Sequence, residues 1–521
     1  MLAPVPFQPL TERLREIARG RPDAPALGDG DRLLSYRELD ALVDRVACAL
    51  QRDGLRPGQA VACCAATAVP QALVFLGALR AGAVPAPIAP SATPAQFGAM
   101  LADAGATLVF ADAQAQALLR AAPPGVRQVA LDASAAAGRP FDDWLAPAGA
   151  RPVPVTLRPE DPFNIIYSSG TTGTPKGIVQ PHGMRHAHVQ RAARYGLEEG
   201  SVLLLATPLY SNTTLVAFFP ALGAGARVHL MRKFDAATYL HLAQALRATH
   251  TMLVPVQYRR LMAWPGFDDH DLSAFRMKLC TSAPFDAALK AEVLARWPGG
   301  LLEIYGMTEG GGSCMLDARE HPDKLHTVGR PSPGHDIRLI DEQGRELPPG
   351  PDAVGEIVGR SPAMMSGYHG QPALTREAEW FDAQGRRYIR TGDVGRFDVD
   401  GFVVLMDRRK DLVISGGFNI YPGDLEAVLR QHPAVEDAAV VGVPSARWGE
   451  TPVAWVVRRA GAAGGAAPDA EALRTWANER LGRAQRLAGL QWLDELPRSS
   501  IGKVLKRELR ERWQASGVAV E

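Results

Sequence analysis

The chain runs to 521 residues, with 57 basic and 56 acidic side chains, a formal net charge of +1 and 46% hydrophobic residues. That length supplies more than one hydrophobic core, so two or more domains are expected. Balanced charge with no basic block excludes the electrostatic footprint of a nucleic-acid binder.

The first residues, MLAPVPFQPLTERLRE, hold no basic region followed by an apolar one, so no secretion signal is read there. Tyr36 to Gln51 has helical spacing in Leu39, Leu42, Val43, Val46 and Leu50. Val61 to Ala65 and Ala83 to Ile88 read as short buried strands flanking a helix from Gln71 to Ala81. The uncharged stretch Ala60 to Leu79 is interrupted by Pro70 and Gln71 and ended by Arg80. A buried strand, turn and helix explains it better than an integral membrane span. Strand-like runs recur at Leu108 to Phe110, Phe163 to Ile166, Val202 to Ala206, Arg227 to Leu230 and Met252 to Val254. Strands alternating with helices imply an α/β fold of mainly parallel sheets covered on both faces.

Near position 330 the texture changes. Strands at Ile337 to Ile340, Gly355 to Val358 and Phe402 to Leu405, joined by Gly/Pro/Asp turns, suggest a β-rich subdomain. A compact α+β tail follows Asp407, with helices at Pro422 to Gln431 and Ala470 to Leu481 and strands at Val435 to Val443 and Val453 to Arg458. The expected division is a large domain, 1–407, and a small mobile one, 408–521. Five cysteines, at 48, 63, 64, 280 and 314, form no CxxC and read as reduced thiols of a cytoplasmic protein. His182 and His186 stand at i, i+4 spacing without a third ligand, so a surface helix is expected there rather than a metal site.

The most informative stretch is Tyr167-Ser168-Ser169-Gly170-Thr171-Thr172-Gly173-Thr174-Pro175-Lys176-Gly177. It offers many N–H and O–H donors, backbone freedom at its glycines and one cation, which suits a polyphosphate. A Walker A loop needs Gly before its Lys and Ser or Thr after it. Here Pro175 and Gly177 stand in those places, so a P-loop is excluded.

This stretch resembles the phosphate-binding signature of the adenylate-forming superfamily, which includes the acyl-CoA synthetases. Further segments match in order: Tyr305-Gly306-Met307-Thr308-Glu309, Thr391-Gly392-Asp393, Asp407 to Asp411, Gly416 to Pro422, and Pro497 to Lys503. The resemblance therefore spans nearly the whole chain. It implies activation of a small carboxylic acid by ATP and Mg²⁺ to an acyl-AMP, then transfer to the thiol of coenzyme A. A homodimer is left open.

By the resemblance, Ser169 to Thr174 and Lys176 hold the phosphates, and Glu309 with Thr171 ligates Mg²⁺. Tyr305, Gly306, Met307 and Thr308 belong to the adenine motif, and Ser282-Ala283-Pro284 to the adenine edge, where a glycine often replaces Ser282. Asp393 takes the ribose hydroxyls, a role acidic residues fill at other nucleotide sites, and Arg408 assists. Lys503 bridges substrate carboxylate and α-phosphate as charge builds there. Lys410 is the hinge, and Ser415, Gly416 and Gly417 line the pantetheine tunnel. Beside Lys503, Lys506 and Arg507 read as ordinary exposed charges.

The acyl pocket is expected among Tyr210, Ser211, Asn212, Thr213 and Thr214, with Val256, Gln257, Tyr258, the stretch from Cys280 to Ser282, and Met307 to Ser313. Many relatives carry an aromatic-His pair where Tyr210-Ser211 stands, so that imidazole's role lapses here. Gly310, Gly311 and Gly312 are expected to leave room for a bulky or long acyl group. A medium- or long-chain fatty acid is therefore the first expectation and an aryl acid the second. An acyl-AMP ligase loading a carrier-protein pantetheine is the alternative, and an inactive nucleotide-binding homologue is the alternative from another class.

Overall fold

The computed structural model describes residues 6–132, 138–168, 175–348, 350–408, 411–415, 418–445, 447–459, 468–482, 485–499 and 502–518. The side chains of Arg408, Phe418 and Asn419 are not among what is described. The chain forms two compact units, residues 1–337 with 359–389, and residues 338–358 with 390–521. The expected boundary at 407/408 falls within the second unit and remains a proposal.

In the first unit a nine-stranded sheet runs, in spatial order, Arg330–Pro331, Cys314–Asp317, Gly300–Tyr305, Met277–Cys280, His250–Leu253, Val202–Leu205, Arg227–Leu230, Pro25–Asp29 and Arg32–Ser35. From Gly300–Tyr305 to Pro25–Asp29 every neighbouring pair is parallel, and the edges are antiparallel. The helix Asn212–Gly223 has every residue from Thr213 onward buried, as expected for a crossover covering a parallel sheet. The helix Tyr36–Arg52 starts at a capping box, where Ser35 Oγ accepts from the Glu38 N–H and Glu38 Oε2 accepts from the Ser35 N–H.

A second sheet is wholly parallel: Val84–Ile88, Ala60–Cys64, Leu108–Ala111, Arg127–Ala130 and Arg139–Pro140. Pro85 and Pro87 lie on its edge strand, where two missing N–H groups cost no ladder bond. The expected uncharged span is thus the strand Ala60–Cys64 and the helix Val69–Arg80. Among the described residues no helix is long and apolar enough to cross a membrane. A third, antiparallel sheet orders Gly367–Tyr368, Lys176–Pro181 and Pro162–Ser168.

A fourth sheet, Asp336–Ile340, Gly355–Arg360, Arg387–Phe397 and Glu379–Phe381 with Val403–Arg408, is the expected β-rich segment, and the unit boundaries fall within its strands. The second unit also holds a five-stranded sheet centred on the pair Val435–Ser445 and Gly449–Arg458. The helices Pro422–Arg430, Ala470–Asn478 and Lys506–Ala515 bury Leu425, Leu429, Leu473, Leu509 and Trp513 in apolar clusters of this unit.

Candidate active site

The parallel register of the first sheet brings the carboxyl ends of four adjacent strands to one edge. Past those ends lie Ala206 to Asn212, Val254 to Gln257, Thr281 to Ser282, and Gly306 to Glu309. Ligands of open α/β sheets bind in the crevice outside such ends. Side chains stitch the loops together. Gln257 Nε2 donates to the Ala206 carbonyl at 3.0 Å, Thr281 Oγ1 to the Ile304 carbonyl at 2.6 Å, and the hydroxyls of Thr213 and Ser282 are hydrogen-bonded. Ser282 has φ +87°, which explains why glycine suits that position.

Glu309 is held from two sides. Its carbonyl accepts the Met365 N–H at 2.8 Å, and its Oε1 accepts the Tyr368 hydroxyl at 2.9 Å. Lys176 Nζ lies 5.7 Å from the centroid of the same Tyr368 ring, within cation–π reach. Burial and the Glu309 carboxylate together push the Tyr368 phenol far above its ordinary value, so it stays a donor. One hard carboxylate oxygen beside a cation suits a hydrated Mg²⁺ on a polyphosphate. Among the described residues no group of three His, Cys, Asp or Glu side chains gathers as a metal cage. Tyr368 escaped the sequence reading. Its signal, a Gly-Tyr pair on a two-residue strand, is too short to interpret without the pairing Tyr368↔Ile178.

Lys176 opens its strand directly opposite Ser168. Ser169, Gly170, Thr171, Thr172, Gly173 and Thr174 lie outside the described residues, as do Lys410, Gly416 and Gly417.

Sequence reading also missed Gln180, which is fully buried. Its Nε2 donates to the Thr308 carbonyl at 2.6 Å and to Asn212 Oδ1 at 3.3 Å, joining the adenine motif to the expected acyl pocket. Its Oε1 accepts from Asn164 Nδ2 at 2.9 Å and from Arg185. Arg185 is buried against Phe163 and Phe219; its hydrogen-bond partners among the described residues, Asn164 Oδ1, Gln180 and His188 Nδ1, are neutral, and burial lowers its pKa to about 9. An interior polar residue in a strand gives no sign of its partners when these are 32 and 128 positions away.

Several expectations are corrected. Tyr258 is wholly buried, donates to the Leu279 carbonyl at 2.9 Å and stacks on Phe285, so it is core rather than pocket wall. Gln257 also accepts the Val254 N–H, so both ends of its amide serve the backbone. The three glycines do not open space for an acyl group. A Cβ on Gly310 would meet the Ala363 carbonyl oxygen at 2.0 Å, one on Gly311 the Gly359 oxygen at 2.8 Å, and one on Gly312 the Ile337 side chain at 1.8 Å. The chain's own segment 359–364 fills that side, through the bridge Gly310↔Met364. His182 is buried rather than on a surface helix, and burial lowers its pKa to about 4.

Tyr210 and the N-cap Ser211 lead into the helix Asn212–Gly223, where Ser211 Oγ accepts the Thr213 N–H at 3.3 Å. Tyr305 ends its strand, and Gly306, Met307 and Thr308 follow it towards Glu309. Ala283 and Pro284 follow Ser282 in the loop leading to the helix Ala287–Arg296.

The second unit carries Asp393, Arg408, Ser415 and Lys503. Asp393 pairs with Arg408 across two strands, and its N–H donates to Thr391 Oγ1 at 3.0 Å. Ser415 ends a strand opposite Phe418. Lys503 sits in a tight reversal: the Ser499 N–H donates to the Lys503 carbonyl at 2.8 Å, and the Lys503 N–H to Ser499 Oγ at 3.2 Å. Gly502 before it has φ +78°, a conformation glycine adopts without strain. Arg498 clamps the reversal, donating to the Gly502 carbonyl at 2.7 Å while pairing with Asp437. Lys506, expected to be exposed, is instead largely buried and reaches Glu426 at 3.0 Å. Burial opposes its charge, but Glu426, Asp407 and Asp411 outweigh that and raise its pKa.

The profile of the AMP-binding enzyme family matches residues 14–369, and that of the AMP-binding enzyme C-terminal domain matches 424–503. The fatty acid–[acyl-carrier-protein] ligase ScoC of Streptomyces coeruleorubidus is 34% identical, with 97% of each chain covered. A feruloyl-CoA synthase of Amycolatopsis sp is 34% identical, over 95% of this chain and 97% of that protein. The solved structure of the amide bond synthetase McbA from Marinactinospora thermotolerans superposes with a TM-score of 0.85 at 30% identity, covering 97% of this chain and 100% of that one.

Proposed function

The chain belongs to the AMP-binding enzyme family of adenylate-forming acid–thiol ligases, and from that premise we propose that it activates an aryl or arylalkenyl carboxylic acid and passes it to coenzyme A. A substrate carboxylate oxygen attacks the α-phosphorus of ATP as the bond to pyrophosphate breaks. The coenzyme A thiol then attacks the acyl carbon and AMP leaves. Lys176 meets the phosphates, Asp393 the ribose, and Lys503 offsets the charge that grows between carboxylate and α-phosphate. Glu309, oriented by Tyr368, would hold Mg²⁺, which supplies charge neutralisation on the phosphate oxygens.

The observation that carries this reading is the junction of Glu309, Tyr368 and Lys176 beside four aligned strand ends. Preference for an aryl acid over a fatty acid is supported by the filled space beside Gly310 to Gly312 and by the feruloyl-CoA synthase likeness. ScoC supports the second reading, a carrier-protein acceptor. Pyrophosphate exchange across a panel of acids tests the first half-reaction, and exchange with no acid refutes it. Thioester formation with coenzyme A against a free-standing carrier protein decides the acceptor.

A further inference from the structure

Behind the stretch Met307 to Ser313, basic groups gather that the adenylation chemistry does not use. The Ser313 N–H donates to His335 Nδ1 at 2.9 Å, and Ser313 Oγ lies 3.1 Å from the same nitrogen. Ser313 Oγ is also 3.3 Å from Ser332 Oγ, and the His335 N–H donates to the Ser332 carbonyl at 2.9 Å, fixing the ring's backbone. An Nδ1 that accepts a backbone N–H carries no proton, so the neutral imidazole holds its hydrogen on Nε2. Yet Nε2 faces an Arg191 guanidinium nitrogen at 3.4 Å. Guanidinium has only donors. Two donors therefore face each other, and an acceptor oxygen that takes a hydrogen from each would satisfy both.

The surroundings deepen that demand. Burial lowers the His335 pKa to about 3, with Arg191 and Arg194 acting in the same sense, so a charged imidazole does not relieve the conflict. His188 is buried alongside. Burial lowers its pKa too, helped by Arg191, Arg185 and His335, and it accepts from Arg185 on Nδ1, so its remaining ring hydrogen is also on Nε2. Among the described residues, the charged groups that shift either imidazole are arginines, not carboxylates. The cluster reaches the site at two points, through Ser313 directly and through Arg185, Gln180 and the Thr308 carbonyl.

We propose that Arg191 and His335 form a recognition pair for a hydrogen-bond-accepting oxygen at the end of the acyl substrate remote from its reacting carboxylate. A phenolic oxygen or a second carboxylate carries that chemistry. The proposal rests on the acyl-activating reading above, and it makes the pair specificity-determining rather than catalytic. A pocket built to bond such an oxygen disfavours an analogue lacking it, because its half-buried donors lose that partner.

The test is pyrophosphate exchange with two matched pairs, cinnamate against 4-hydroxycinnamate and a straight-chain monocarboxylate against the dicarboxylate of equal length. Each is measured on the wild type, Arg191→Met and Arg191→Lys. The wild type is expected to favour the oxygen-bearing member of one pair by about 10- to 100-fold in kcat/KM, and which pair responds names the oxygen. Arg191→Met should bring that preference below about threefold while keeping exchange on the bare acid, and Arg191→Lys should restore part of it. Exchange without preference in either pair, or a preference that survives in Arg191→Met, overturns the recognition pair and leaves acid activation standing. Exchange with no acid at all overturns acid activation and this proposal with it.

Discussion

The Tyr368 hydroxyl and the Glu309 carboxylate, 2.9 Å apart, bind the loop after one sheet to a strand of another. The hydroxyl fixes one oxygen of Glu309 and leaves the other for ligation. Tyr368→Phe should keep the fold and lower the pyrophosphate-exchange rate by about 10-fold, with a raised Mg²⁺ requirement, since one hydrogen bond to a charged group contributes roughly 1.5–3 kcal/mol. Titrating Mg²⁺ against exchange checks it, and an unchanged Mg²⁺ dependence removes the orienting role.

Lys503 and Arg498 separate function from support. Lys503→Ala should abolish acyl-AMP formation yet spare much of the thiol transfer from supplied acyl-AMP, whereas equal loss of both steps would refute its assignment. Arg498→Ala frees the Gly502 carbonyl and leaves Asp437 with one fewer cation. It should weaken the same half-reaction partially, by roughly 10-fold, as a missing positioning bond would.

Ser282 holds φ +87° with a Cβ present, a conformation that costs about 1–3 kcal/mol. Ser282→Gly should therefore leave stability unchanged or raise it by about 1 kcal/mol, despite losing the bond to Thr213. Ser282→Val should lower it by roughly 2 kcal/mol. Urea midpoints rank the three proteins, and a valine variant as stable as wild type would show that the site is not strained.

Buried imidazoles set the response to acid. Burial lowers His182 and His250 to about 4 and His335 to about 3, each below the ordinary 6.5. Unfolding lets them take up protons, so the stability from each is complete above pH 6.5 and is lost as pH falls towards 4. A shift of that size corresponds to about 3 kcal/mol per imidazole at full effect. Glu303, raised to about 7 by burial against the opposing pull of Lys290, acts in the other direction. Its contribution is present below about 4.5 and disappears as pH rises through 7. The histidines outnumber it, so chemical-denaturation stability should fall between pH 6.5 and 4.5, and His250→Gln should flatten that slope. A pH-independent midpoint over this interval would contradict the neutral-imidazole account.

The parallel core was legible because its strands are short apolar runs separated by helices: Arg227–Leu230 has the expected bounds, and Tyr36–Arg52 differs by one residue. Lys176, Glu309 and Asp393 were singled out because motif spacing marks them, and their roles are part of the proposal above. Gln180, Tyr368 and His335 were not, since each acts through a partner distant in sequence that only the folded backbone brings within reach. Gly310 to Gly312 misled for a related reason. A missing side chain can make room for a ligand or for the chain itself, and the sequence alone does not say which.

Those glycines carry a lesson for anyone redesigning this enzyme. Randomising 310 or 312 to widen its substrate range would push the backbone away from Ala363 or Ile337, two and five residues from the segments that present Met365 and Ser332. Libraries there should return glycine or inactive clones. Variation aimed at Arg191, on a helical turn with no ladder to disturb, is where new acids are to be sought.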